Sequence, residues 1–201
     1  ALIFGDQPLG RLIVGPAENI KRFDREDFVA YKERLYVPEN MVVSVAGKID
    51  EARVLSLTEE YFPLQPKPMP ESVWPNFRLD LARQKSVSVI TKDTNQAHFM
   101  LGVLAPPDRH PTTNATRLLS AILGGGMSSR LFIQVRERQG LAYYVGNQYD
   151  RLTDAGFFAA GAGVKIDAAE KAVTTILAEY RDVYENGVTD AELNKAKNMK
   201  I

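Results

Sequence analysis

Gly124 to Val145, GGGMSSRLFIQVRERQGLAYYV, constrains the fold more than any other part of this 201-residue chain. Three consecutive glycines permit positive φ and backbone approaches that a Cβ forbids. Ser128 and Ser129 suit a helix N-cap. Leu131, Phe132 and Val135 follow at helical spacing, with Arg130, Arg136, Glu137 and Arg138 as polar surface. Gly140 suits the position just past a helix end, and the alternation Leu141, Tyr143, Val145 predicts a strand entering a sheet. Such a sequence is either a tight structural corner or part of a binding site.

Elsewhere the pattern alternates between helices and short strands. Asp24 predicts a capped helix to Leu35, with Phe28, Tyr31 and Leu35 on one face, ended by Pro38. Met41 to Gly47 is β-branched and bounded by turn residues, which predicts a buried strand. Asp50 predicts a second helix to Tyr61. Five prolines between Phe62 and Gln84 (Pro63, Pro66, Pro68, Pro70 and Pro75) predict an extended linker, with the only tryptophan, Trp74, anchoring it against a flanking domain.

After the linker, Ser86–Thr91 and Ala97–Ala105 read as strands, the second nearly continuously apolar and therefore central. Thr112 or Thr113 then caps a helix reaching the glycines. Strands at 142–149 and 157–164, a long helix capped by Asp167 and stopped at Asn186-Gly187, and a final helix opened by the box Thr189-Asp190-Ala191-Glu192 complete the order. Strands in adjacent pairs with segregated helices predict an α+β fold, an antiparallel sheet covered by helices on one face.

Composition excludes several classes of function. Twenty-five basic residues balance 25 acidic ones, so no net field points to nucleic acid or an anionic membrane. Without cysteine there are no disulfides or thiolate metal sites, and either redox compartment is permitted, the bacterial periplasm or the cytoplasm among them. No apolar run reaches the length of a membrane span. The two histidines, His98 and His110, lie far from any His-x-x-x-His or His-x-x-Glu-His spacing, so no metal bound by this chain is expected. GGGMSSR lacks the lysine of a phosphate-binding loop, and no Gly-x-Ser-x-Gly elbow occurs. Asn114-Ala115-Thr116 is formally a glycosylation sequon, read here as helix-start chemistry.

Arg136 and Tyr143, seven residues apart across Gly140, are the candidate site residues. A guanidinium and a phenol converging there can hydrogen-bond a carbonyl or a peptide backbone. Alternatively, Arg136 pairs with a surface carboxylate and Tyr143 fills core; spacing alone leaves both open.

The whole Gly124–Val145 stretch closely resembles the signature of the second domain in the M16 (pitrilysin-type) metallopeptidase family. Asp6–Ile20 and Tyr36–Asp50 resemble parts of the family's first domain, and Asn186–Lys197 a helix near the end of its second. The resemblance implies residues 1–62 as the latter part of a first domain, 63–84 as linker and 85–201 as a second domain. It further implies that a zinc-binding His-x-x-Glu-His precedes Ala1 in a longer polypeptide, to which the helical run at Ile201 also points. By the same resemblance Arg136 and Tyr143 contact a peptide substrate and stabilise the transition state, at a zinc site on a partner half or subunit, in a homodimer or heterodimer. Some members of the family have lost the zinc motif and serve as non-catalytic partner or scaffold subunits, the alternative reading.

Overall fold

The computed structural model describes residues 2–63, 65, 66, 68 and 87–200. They fall into two compact units, one from Ala1–Gly10 and Asn76–Ile201, the other from Arg11–Pro75. Trp74, and with it the anchoring role expected of it, lies outside the described residues.

In the Arg11–Pro75 unit the helices are α1 (Ala17–Arg22), α2 (Arg25–Leu35) and α3 (Glu51–Tyr61). The cap of α2 is the expected reciprocal box: Asp27 N–H donates to Asp24 Oδ1 at 3.0 Å, and Asp24 N–H to Asp27 Oδ2 at 3.3 Å. Asp50 Oδ1 likewise accepts from Arg53 N–H at 3.1 Å. The strand expected over Met41–Gly47 is not formed. Its backbone is extended at Met41 (φ −122°, ψ 142°), but it pairs with no strand among the described residues, and Val42 is 94% exposed. β-branched residues favour extended backbone, yet a strand also needs a neighbour's ladder and a face to bury. Val87–Thr91 fails as a strand for the same reason, with Val89 82% exposed.

The other unit carries the sheet: β1 (Gln96–Ala105), β2 (Ala142–Arg151) and β3 (Gly156–Lys165), all antiparallel in the order β1-β3-β2. β3 is thus the middle strand, and the expectation that 97–105 is central is corrected. The reason is packing. β3 is built mostly from small residues, Ala159 to Val164 among them, and is buried through most of its length, whereas β1 leaves Met100 and Val103 exposed.

Helices cover one face, as expected: α4 (Thr113–Gly124), a motif helix (Phe132–Arg138, of wide π-type turns) and α5 (Ala169–Asn186), with α6 (Asp190–Lys200) packed on α4. Leu131 and Val135 beside α5's Ala172 and Ile176 meet Ala142, Ala160, Ala162 and Val164 of the sheet, all buried. Fully burying a side chain such as Leu131 or Ile176 contributes about 2 kcal/mol.

Two expected caps are replaced. Thr113 Oγ1 donates to the Pro107 carbonyl at 3.1 Å instead of capping α4, and Thr112 caps through no side-chain bond. A 3₁₀ turn (Ile166–Ala168) leads into α5, so Asp167 sits in that turn and Ala168 takes the cap position. Gly187, at φ +75°, stops α5 as expected. The Thr189–Glu192 box opens α6, Glu192 N–H donating to Thr189 Oγ1 at 3.2 Å and Thr189 N–H to Glu192 Oε2 at 2.8 Å.

Glu192 has a second duty that its local motif did not announce. Arg130 grips it bidentately, Nε to Oε1 at 2.6 Å and Nη2 to Oε2 at 2.9 Å, and also donates to Asp182 and the Gly187 carbonyl. This guanidinium therefore ties the entry to the motif helix to α5 and α6. The Arg130 fork, with Thr189's donors adding to it against burial, holds the Glu192 carboxyl down at about 2 from an ordinary 4.5. A depressed carboxylate favours the folded state at any pH above its unfolded value, and that contribution is lost as pH falls from 4.5 toward 2. With 28% of the side chain exposed, screening limits the effect to about 1 kcal/mol. Urea unfolding of wild type and Glu192→Gln is expected to show a stability gap at pH 6 that narrows by that amount at pH 2. A gap that stays constant would place its origin outside the ion pair.

Candidate functional site

Three local devices position Arg136 and Tyr143. The first is the entry to the motif helix. Ser129 is buried, and its Oγ donates to the Gly126 carbonyl at 2.6 Å, while its own carbonyl accepts from Ile133 N–H at 3.0 Å. The serine braces the preceding turn and does not cap by its side chain, which corrects the expectation. The second is the exit. Gly140 adopts φ +61° and donates to the Arg136 carbonyl at 3.0 Å, and Leu141 N–H donates to Val135 O at 2.9 Å, a left-handed cap of the kind that favours glycine.

The third is a bulge. Ala142 pairs with Val164 and Tyr144 with Gly163, leaving Tyr143 as an extra residue in β2. Ala142 and Val145 both pack in the core under the helices. The inserted residue keeps both core contacts while Tyr143 and Tyr144 leave the core, each 50% exposed. The simple alternation expected from Leu141, Tyr143 and Val145 is broken here, and Tyr143 does not fill core.

Arg136 is exposed on the last turn of the motif helix, its guanidinium carbon 4.9 Å from the centre of the Phe132 ring. A cation over an aromatic face is attracted by the electron-rich face of the ring. Among the described residues it pairs with no carboxylate, so the surface-pair alternative is not what forms. The Tyr143 hydroxyl likewise has no hydrogen-bond partner among the described residues. Both groups are free to meet a ligand, one a planar five-donor cation and the other a hydroxyl donor.

No group of three or more His, Cys, Asp or Glu side chains among the described residues is placed to hold a metal ion. His98 lies on β1, with Nδ1 3.0 Å from the Tyr144 hydroxyl and the two rings stacked at 5.9 Å. His110 sits in the loop before α4, bonded to Thr112 Oγ1 at 2.9 Å. The described residues therefore offer no donor set for zinc.

Sequence reasoning missed the polar network that fixes β2 from behind. Tyr180 on α5 donates to Asn147 Oδ1, Asn147 Nδ2 donates to Ser120 Oγ at 3.0 Å, and Ser120 Oγ donates to the Asn147 carbonyl at 3.3 Å. Burial pushes the Tyr180 phenol up, so it stays a neutral donor. Helical periodicity shows which face of α5 is apolar but not which polar group a tyrosine on that face will meet on a strand 33 residues away. No described helix is long and apolar enough to cross a membrane.

Comparison with known proteins identifies this architecture. The family model described as the peptidase M16 inactive domain matches residues 22–200. The chain is 33% identical over 200 residues to an uncharacterized zinc protease of Mycobacterium leprae (strain TN), covering 98% of this chain and 44% of that protein. An uncharacterized zinc protease of Rickettsia felis is also 33% identical over 198 residues, covering 98% of this chain and 47% of its own. Among solved structures, a peptidase M16 inactive domain from Pseudomonas fluorescens superposes with a TM-score of 0.84 at 22% identity, covering 98% of this chain and 48% of that one. A protease from Helicobacter pylori superposes with a TM-score of 0.79 at 25% identity, over 93% of this chain and 46% of that one. The chain thus spans a little under half the length of the curated relatives it matches. With its three-stranded antiparallel sheet backed by helices and a family match over most of its residues, this chain belongs to the M16 metallopeptidase family and carries its inactive domain.

Proposed function

We propose that this chain is the substrate-contacting part of a zinc-dependent M16 endopeptidase that acts on peptides or small proteins. The observation that supports this reading is that Arg136 and Tyr143 are both exposed, flank one rigid turn, and are bound to no carboxylate or carbonyl among the described residues. A bulge turns the tyrosine out of the core and an aromatic ring supports the arginine. The zinc, with the water-activating chemistry it supplies when bound, belongs to another part of the longer protein or to a partner M16-like subunit. This chain's own contribution is to bind and orient. Arg136 donates to a substrate carbonyl, and Tyr143 donates its hydroxyl proton as a hydrogen bond to the oxygen that gains charge.

The test is peptide turnover by the complete protein together with its zinc-bearing half. Arg136→Ala is expected to lower kcat/KM by about 10²-fold, the range of a lost hydrogen bond to a charged donor. Arg136→Lys retains the charge but loses the planar fork and the stacking on Phe132, and is expected to recover only part of the loss. Unchanged kcat/KM in Arg136→Ala would remove this residue from the site. A complete protein that turns over no peptide yet assembles with a second M16-like subunit would replace the reading with that of a scaffold.

A further inference from the structure

The sheet face opposite the helices is only partly covered, and what covers it is informative. Ile3 and Phe4, from the turn-rich segment ahead of Pro8, lie on this face. A Cβ placed on Gly102 would meet Ile3 Cδ1 at 3.1 Å, and the Phe4 ring meets Phe157 edge to face at 6.2 Å. Phe4 is 7% exposed. The face therefore already seats an aliphatic and an aromatic side chain from a stretch of peptide that forms no strand with it.

Next to that seat a trough of about 540 Å³ remains open, within the size range of ligand sites. Its floor is nearly free of side chains, with Gly146 opposite Gly161 in the register and Ala159 beyond. A Cβ on Gly161 would meet nothing closer than Met100 Cγ at 3.8 Å. The walls are His98 and Met100 on β1 and Tyr144 and Gln148 on β2. Met100 is 61% exposed, an adaptable thioether left in water. Tyr144 lies across Gly163 to reach His98 on the far strand, over the space that a Gly163 side chain would fill; a Cβ there would lie 2.4 Å from its ring. Gln148 adds an amide with both donor and acceptor.

A flat floor, a thioether and two stacked rings at the sides, and a polar edge suit the aromatic side chain of a peptide. We propose that this trough seats an aromatic side chain of a bound peptide, the ring lying on the Gly146–Gly161 floor beside Met100 and Tyr144. The inference rests on the reading of the chain as a peptide-binding part of a peptidase. It adds a specificity site on the open sheet face to the Arg136–Tyr143 pair.

The test follows binding, not turnover. The full chain is titrated with N-acetyl-phenylalaninamide and, separately, with N-acetyl-alaninamide, while backbone amide and methionine methyl resonances are recorded. The aromatic probe is expected to shift Gly146, Gly161 and Met100 saturably, with the alanine probe at least about tenfold weaker, as expected for one buried ring. Gly161→Leu fills the floor and is expected to weaken the aromatic probe by about tenfold or more. Met100→Ala, at an exposed position that should not disturb folding, is expected to weaken it several-fold. Any of the following would overturn the proposal: no saturable shift, equal affinity for the two probes, both variants folded with unchanged affinity, or shifts of the same residues driven by chain concentration alone, which would assign the trough to a second copy. Turnover that depends on Arg136 with no probe binding overturns the trough alone; probe binding with turnover indifferent to Arg136 and Tyr143 overturns the proposed function alone.

Discussion

Gly124→Ala is expected to destabilise the domain by about 4 kcal/mol, near the top of the range for single substitutions. A Cβ at this position would lie 2.0 Å from the Asn147 backbone nitrogen and 2.6 Å from the Gly146 carbonyl carbon. Both are main-chain atoms of a sheet strand and cannot rotate aside as a side-chain end does. To admit the methyl, the end of α4 must lift off β2. That separates Ser120 from Asn147 and opens the site around Leu123, which is 2% exposed. Gly126→Ala is expected to be near neutral, since its Cβ would meet only the Met199 methyl at 3.6 Å and the unfolded chain loses some freedom. Gly125→Ala, with Ala121 Cα at 2.7 Å, should fall between. Urea unfolding of the three variants checks the order. Equal losses at Gly124 and Gly126 would show that close approach is not what the glycines provide.

That comparison also marks where the sequence was legible and where it was not. The triple glycine was expected to supply either left-handed backbone or close approach. None of its three residues has positive φ; Gly124 is required by contact alone. Devices confined to one turn were readable, because their physics is local: the boxes at Asp24 and Thr189, the left-handed stops at Gly140 and Gly187, and the buried spacing of Leu131 and Val135. Strands were less so. Val42 and Val89 have the right residue type but no partner strand among the described residues, and pairing is a property of two segments. β1 was misjudged as central because continuous apolarity does not separate a middle strand from an edge strand whose outer face holds Met100 in solvent. The candidate pair could be picked out as an arginine and a tyrosine flanking Gly140, but the bulge that turns Tyr143 out could not be seen. It follows from the register of β2 against Val164 and Gly163, some 20 residues away in sequence. The same distance hides the Arg130–Glu192 fork, 62 residues apart, and the His98–Tyr144 wall, 46 apart.

Tyr143→Phe in the complete protein with its zinc-bearing half is expected to lower kcat by about 10²–10³-fold with little change in KM, the effect of deleting one donor to a developing oxyanion. The substitution removes one oxygen from a half-exposed ring that makes no hydrogen bond among the described residues, so folding gives it no reason to matter. Its stability should match wild type within about 0.5 kcal/mol. Tyr149→Phe is the matched control on the same strand. Its hydroxyl donates to the Pro106 carbonyl at 2.6 Å, and deleting it should cost about 1 kcal/mol of stability and leave turnover alone. The two variants thus separate cleanly: one hydroxyl is used by the fold, the other is left unused by it. A loss of kcat in Tyr149→Phe as large as that in Tyr143→Phe would mean that β2 geometry, not a hydrogen bond to substrate, sets the rate. Full activity in Tyr143→Phe would end the assignment outright. The bulge would then serve only to admit Tyr144 to its place beside His98, since register requires an extra residue for that whether or not the extra residue is a tyrosine.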